Sequence, residues 1–442
     1  MSAPDREHWS SRIGFTLAAV GSAVGLGNMW RFAYMTAENG GAAFVLLYVA
    51  MTALVGLPVM LAELALGRGA ARSPVQALVH YGGRGWRPLG LLFVVAGFVI
   101  LAYYSVIAGW TLRYALEGVS QGFPAEAGRH FSAIASGRSA VAWHLAFMAG
   151  TIWVVSGGIR SGIERTALVL MPVLGALVVG LALYAATLDG AAAGYRFYFT
   201  NDLAGIASFE VLKDAAGQAF FSLSLGMGAI LTYASYLEKQ HDLPREAVLI
   251  AASDFAVAFV AGLVVFPLVF ALGLQDEVGE STLGALFITL PKAFAAMGGA
   301  GRVVGFLFFV ALVVGALTSA ISLLEVVVAT AIDGLGMRRR AAAWICGGAI
   351  ALLGIPSALS LDVLGLMDQV GGNLLLVLGG LLLSVFVGWV AHEPHQEAGV
   401  GSRFAGLGVW RGLLRSLVPL ILTVVLVFSA RDAWQTLIRL VD

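Results

Sequence analysis

The chain is short of cysteine, lysine and charge: one cysteine, three lysines and 12% charged residues in 442. A lone Cys346 excludes an internal disulfide and a cysteine-built metal cage. The seven histidines are scattered without metal-ligand spacing, and no His-Glu-x-x-His run occurs, so a zinc hydrolase lacks its ligands. Basic and acidic residues balance at 26 each, which gives nucleic acid no positive surface to bind. The opening segment is polar up to Arg12 and has no short apolar core before a cleavage site, so no removed signal peptide is expected. The excess of arginine over lysine reads as genomic composition rather than mechanism.

What the chain does have is apolar length. Hydrophobic residues make up 59% of it, and a mean hydropathy of +0.89 is too high for soluble domains, so an all-α polytopic membrane protein is expected. Apolar runs of about 20 residues number eleven, at roughly 13–37, 42–67, 88–116, 140–157, 165–187, 215–237, 246–273, 303–332, 341–359, 367–391 and 411–430. Arg6, Arg12, Arg68, Arg72, Arg84, Arg87, Arg160, Arg165, Lys239, Arg245 and the run Arg338 to Arg340 fall on one side, which the positive-inside rule makes cytoplasmic. The N-terminal segment 1–12 is then cytoplasmic and, with an odd number of spans, the C-terminus external. Loops 117–139, 188–214 and 274–302 would be external. The last carries Phe287, Ile288, Leu290 and Pro291 and is apolar enough to fold back into a vestibule.

Two spans are interrupted. The first, Gly21 to Phe32, holds three glycines, Asn28 and Arg31 inside an apolar run. Each interior glycine costs a helix roughly 0.5–1 kcal/mol relative to alanine, and unwound backbone at membrane depth is tolerated only inside protein or along a cavity. A second interruption, Gly217 to Gly228, opens the sixth span. Glycine patches for close helix packing explain the glycines equally well; Asn28, Ser222 and Ser224 beside them favour the break. Broken helices at corresponding places in two halves, 13–187 and 215–391, point to an inverted repeat with a midplane site, followed by an eleventh helix at 411–430.

Arg6-Glu7-His8-Trp9, Ala23 to Phe32, Glu38-Asn39-Gly40-Gly41, Phe221 to Tyr236 and Leu317-Thr318-Ser319 together resemble the neurotransmitter:sodium symporter family. The likeness covers essentially the whole chain, although many members have twelve spans. It implies two inverted five-helix repeats with broken helices one and six, and Na⁺-driven uptake of a small amino compound. By that resemblance one Na⁺ site comprises the Ala23 carbonyl, Asn28, Ser222 and Asp254. The other comprises the Gly21, Val24 and Gly315 carbonyls with Thr318 and Ser319. Oxygen donors suit a hard cation, and no lysine stands near the second site to replace it. Read alone, Thr318 and Ser319 fit ordinary back-bonding within a helix.

Asp254 is an ionisable group in the middle of span seven, which is costly and functional by default. Many relatives carry asparagine there and rely on bound chloride or on a glutamate four residues later; this chain has Ala258 at that later place. A Na⁺ about 4 Å from Asp254 gains about 4 kcal/mol at an effective dielectric near 20. Chloride is therefore not expected as a cofactor. Gly25 stands where monoamine carriers of the family place an aspartate, so a substrate must bring its own carboxylate. Tyr104 and the amides near Leu26 and Gly27 resemble the carboxylate site, with the carbonyls of Ala23, Phe221 and Ser222 and the Ser224 hydroxyl toward the amine, and Ser319 also counted among the substrate-binding residues. Ile100, Phe221, Met227 and Leu323 would face the side chain, which favours a hydrophobic or aromatic L-α-amino acid. Without the resemblance these apolar residues read as core or lipid-facing positions.

Arg31 with Asp368 resembles the family's outer gate, and Arg6 with Asp333, buttressed by Trp9 and Tyr236, the inner one. Gly162 and Pro172 match a family site of local unwinding in span five; a helix start with a proline kink explains the same letters. Glu63 is expected to hydrogen-bond the broken backbone, and Glu325 has no assigned role. The expectation is a non-enzymatic Na⁺-coupled importer in a bacterial inner membrane, monomer or homodimer, with two Na⁺, lipid bilayer contacts and no nucleic acid. A Na⁺-dependent sensor without turnover, or a symporter of another small amino compound, are the alternatives. A channel lacks a continuous polar lining.

Overall fold

The computed structural model describes residues 7–200, 208–274, 282–402 and 404–441. Arg6 and parts of the loops at 201–207 and 275–281 lie outside these residues. The chain is 85% helical, with no strand among the described residues. Among the described residues, nine helices are long and apolar enough to cross a membrane: Ala42–Ala70, Arg84–Ser120, Arg138–Ser156, Ile159–Ala185, Leu243–Ala271, Gly298–Leu335, Arg339–Leu359, Leu361–Val390 and Leu407–Trp434. Arg12–Ala23 and Gly27–Glu38 form a tenth span bent by 53°. Phe209–Ser222 and Ala229–Ala234, separated by six residues of turn, make the eleventh and take the sixth place in chain order. Two inverted five-helix repeats with broken spans one and six are thus the fold.

Local chemistry sets the ends of these helices. Ser11 caps span one by accepting from the Gly14 amide at 3.0 Å, and Asp242 caps span seven from the Arg245 amide at 3.2 Å. Pro74 and Pro244 sit in first turns, where no amide donor is needed, and Gly336 closes span eight in a left-handed conformation. Span ten begins at Leu361, earlier than its apolar run, because Ser360 caps it.

Spans three and eight are the long central helices, and small residues let their neighbours approach. A Cβ on Gly109 would lie 2.8 Å from the His144 amide nitrogen of span four, and one on Gly354 of span nine 2.4 Å from the Ala102 carbonyl of span three. His144 joins the three spans through Ser105 Oγ and the Ala351 carbonyl, both at 2.9 Å. Span five runs unbroken through Pro172: a wide opening turn, Ile159–Glu164, leads into Arg165–Ala185. Gly162 serves close packing in this conformation, since a Cβ there would stand 2.0 Å from the Val154 carbonyl. Far from the arginine-rich end, the loop helix that includes Ala285–Ala296 folds back onto the bundle. Its Phe287 stacks on Phe131 at 5.3 Å and accepts through its carbonyl from Tyr114 at 2.9 Å.

The turn of span six depends on Gly226, with φ +80 and a Cβ position 2.2 Å from the Leu376 carbonyl. Gly226→Ala combines left-handed strain with a backbone clash and is expected to cost at least about 2 kcal/mol, lowering the thermal unfolding temperature of the purified protein. Gly175→Ala, with open space around it, is expected to leave that temperature unchanged or raise it.

Candidate functional site

The two breaks meet at the centre of the bundle. Val24, Gly25 and Leu26 separate the halves of span one, and residues 223–228 those of span six. Ser224 takes φ 54, and its hydroxyl donates to the Ser22 carbonyl at 2.8 Å, tying one break to the other. Glu63 of span two accepts from the Gly226 amide at 2.9 Å and the Leu231 amide at 3.1 Å, so it hydrogen-bonds the broken backbone as the sequence predicts. Gln218 donates to the Gly27 carbonyl at 3.1 Å.

Asn28, Ser222 and Asp254 form a buried cluster. The Asn28 amide nitrogen donates to Asp254 Oδ1 at 2.6 Å and to Ser222 Oγ at 2.9 Å, while its oxygen accepts from the Gly25 amide at 2.9 Å. Ser222 and Tyr48 both donate to Asp254 Oδ2, at 2.8 and 3.1 Å. Ala23 ends the first half-helix beside them, which frees its carbonyl. Seated here, a cation would require the Asn28 amide to turn its oxygen toward the carboxylate, after which all donors would be oxygen. Tyr48 was missed from the sequence; a tyrosine in an apolar span, whose hydroxyl needs a partner, was the available signal.

A second cluster lies across Gly25. Ser319 Oγ faces the Gly21 and Val24 carbonyls at 3.5 and 3.3 Å, and Thr318 Oγ1 bonds back to Val314 and Gly315 at 3.2 and 3.0 Å. Thr318 therefore does what an ordinary helix threonine does, whereas Ser319 reaches across to span one. A Cβ on Gly21 would lie 3.0 Å from that of Thr318, so all five residues converge. Gly25 touches both clusters, and a Cβ on it would stand 2.6 Å from Ser319 Oγ and 3.0 Å from the Tyr104 hydroxyl. Tyr104 accepts weakly from the Leu26 amide at 3.4 Å. Ile100, Met227 and Leu323 are buried, and Phe221 lies against Gly27.

Toward the end away from the arginines, the Arg31 guanidinium sits over the Phe221 ring at 4.5 Å. Arg31 and Asp368 do not form an ion pair within 4.0 Å in this conformation. Asp368 Oδ1 and the Tyr103 hydroxyl instead flank Gly372, each 2.9 Å from its Cβ position. At the basic end, Trp9 donates to the Tyr233 carbonyl at 3.0 Å and packs edge-on against Tyr233 and Tyr236. Tyr236 donates to the buried Glu325 at 2.6 Å, and Arg339 holds both oxygens of that carboxylate at 2.8 and 3.0 Å while reaching Glu7 at 2.7 Å. This is the role the sequence did not assign to Glu325. Asp333 accepts from the Ser73 amide at 2.6 Å; its expected partner Arg6 is outside the described residues.

A model described as the sodium:neurotransmitter symporter family matches residues 6–134 and 129–436. The chain belongs to that family. It is 37% identical over 452 residues to the uncharacterized sodium-dependent transporter YhdH of Bacillus subtilis, covering 96% of this chain and 98% of that one. An uncharacterized sodium-dependent transporter of Methanocaldococcus jannaschii is 35% identical over 458 residues, with 98% and 92% covered. Among solved structures, MhsT in complex with L-phenylalanine is 42% identical with a TM-score of 0.87, over 96% of this chain and 100% of that one. Each is a relative of matching length, so the symporter family's fold extends over the whole chain, and the protein is an integral membrane transporter of sodium-dependent type.

Arg339→Ala leaves Glu325 buried against Tyr236 alone and is expected to cost about 3–5 kcal/mol. Adding Glu325→Gln should recover a large part, a coupling read by thermal unfolding of the two single variants and the double variant.

Proposed function

We propose that this symporter imports a hydrophobic or aromatic L-α-amino acid together with two Na⁺, by alternating access and without chloride. The observation that carries the reading is a pair of buried oxygen clusters on either side of Gly25, where the backbone of span one is open. Ala23, Asn28, Ser222 and Asp254 take one ion; Gly21, Val24, Gly315, Thr318 and Ser319 take the other. Asp254 supplies the full negative charge of the first site, which is why no chloride is needed. The substrate carboxylate sits at Tyr104 and the Leu26 and Gly27 amides, replacing the weak bond between them. Its amine meets the carbonyls of Ala23, Phe221 and Ser222 and a free lone pair of Ser224. Its side chain lies among Ile100, Phe221, Met227 and Leu323, a lining in keeping with the phenylalanine bound by MhsT.

The basic end is taken as cytoplasmic, with the N-terminus there and the C-terminus outside. Trp9, Tyr236, Glu325 and Arg339 close that side, while Arg31 on Phe221, with Asp368 and Tyr103 nearby, covers the other. Ligands bound at the centre bridge both halves of span one to span eight, so they favour the state in which both sides are closed. Two Na⁺ with one zwitterion move two charges, worth about 4.6 kcal/mol per 100 mV.

Uptake of labelled L-phenylalanine into proteoliposomes, under Na⁺, Li⁺, K⁺ or H⁺ gradients and with chloride or gluconate, tests this. Saturable accumulation driven by Na⁺ in gluconate, and faster at inside-negative potential, is expected. Asp254→Asn should slow uptake in gluconate at least about tenfold, with partial recovery in chloride. Ser319→Ala should raise the Na⁺ half-saturation about tenfold, the equivalent of about 1.4 kcal/mol. Uptake by the unaltered protein that ignores Na⁺ or stops without chloride overturns the reading.

A further inference from the structure

Glu164, in the opening turn of span five, is buried and accepts four hydrogen bonds from the start of span one. Its Oε1 takes the Ser10 hydroxyl at 2.7 Å, the Ser11 hydroxyl at 2.9 Å and the Ser11 amide at 3.1 Å; Oε2 takes the Ser10 amide at 2.8 Å. Among the described residues no cation lies within ion-pair distance of it. The carboxylate instead faces the positive end of the half-helix Arg12–Ala23 and caps it from another span. Two neighbouring contacts extend the seam: Glu7 accepts from the Ile159 amide at 2.5 Å, and Arg160 donates to the His8 carbonyl at 2.9 Å.

The glycine pattern of span one independently marks the same seam. A Cβ on Gly14 would stand 1.9 Å from Glu164 Oε1, so this carboxylate occupies the place where any other residue would put its side chain. One turn on, Ala18 shares that face, and two turns on, a Cβ on Gly21 would lie 2.9 Å from the Met171 sulfur of span five. Gly21 is the residue whose carbonyl faces Ser319. From the Ser11 cap to Gly21 the half-helix rises about 15 Å, at about 1.5 Å per residue.

We propose that Glu164 is a positioning residue for the second cation cluster: it fixes the half-helix lengthwise and rotationally against span five, so that the Gly21 and Val24 carbonyls stand opposite Thr318 and Ser319. The proposal rests on the reading of that cluster as a Na⁺ site. Releasing the cap frees the start of span one, parts the seam at Ala18 and withdraws two carbonyls from the ion. Gly14 is the complementary half of the device, since only glycine leaves room for the carboxylate.

The test places a single reporter, Ala18→Cys, in a Cys346→Ser background and measures maleimide labelling of the full-length protein in lipid as Na⁺ replaces K⁺. Protection by Na⁺ gives the labelling rate of the seam and the ion half-saturation from one titration. Glu164→Ala is expected to label at least tenfold faster in saturating Na⁺ of the parent and to raise half-saturation at least fivefold. Gly14→Ala, whose methyl group expels the carboxylate, should act in the same direction, and Ser10→Ala/Ser11→Ala, which keeps the two amide donors, to a smaller extent. Parent-like labelling and half-saturation in both Glu164→Ala and Gly14→Ala overturn the proposal. If Glu164→Ala does not fold, the Gly14 and serine variants decide. Labelling of the parent that Na⁺ leaves unchanged sinks the cation site itself, and the variants' labelling rates in K⁺ then decide the positioning role alone.

Discussion

Backbone polar groups without access to water must find partners within the protein, and everything at the centre of this bundle follows from the two places where helix geometry stops supplying them. Side chains take over. Asn28 and Glu63 satisfy amides, and Gln218, Ser224 and Ser319 satisfy carbonyls. Each such bond is worth about 1 kcal/mol net, but one left unmade costs about 1–3 kcal/mol, so the breaks persist only because they are answered. A cation bound here, as proposed, would exchange its water for oxygens already gathered for this reason. The fold and the proposed binding would then draw on one set of atoms.

The two ends of the bundle are closed by different physics. At the basic end, carboxylates from four elements converge on the start of span one and its surroundings: Glu7 from the N-terminal segment, Glu164 from span five, Glu246 from span seven and Glu325 from span eight. Glu246 holds both Arg12 and Thr16, at 2.6 and 2.8 Å. The buried pair of Glu325 with Arg339 adds little net stability but is expensive to break one partner at a time. The other end is closed with rings: Phe287 with Phe131 and Tyr114, and Arg31 lying on Phe221. Such contacts slide and re-form without leaving a charge unpaired.

The interrupted spans were legible because glycine, asparagine and serine are conspicuous in an apolar run, and Asp254 because a carboxylate at that depth needs a reason. The groupings of Asn28, Ser222 and Asp254, and of Gly21, Val24 and Ser319, came from the family resemblance and not from the residue types, because each group draws its members from different spans, far apart in sequence. Long-range partners were not legible. Nothing near Glu325 in the sequence points to Arg339, and nothing near Glu164 to Ser10 and Ser11, 154 and 153 positions away. Gly162 and Pro172 permit unwinding without requiring it, and the structure has them wound. Arg31 and Asp368, a pair by resemblance, stand apart because an aromatic face offers the guanidinium another seat.

Gly25 lies between two oxygens so close that even a methyl group would touch both Ser319 and Tyr104. A carboxylate side chain at this position could not be added by itself: Ser319 would have to retreat, and with it an oxygen facing Gly21 and Val24. Any side chain at this position therefore demands coordinated change in a second span, and the packing of three spans is written into the absence of one methyl group.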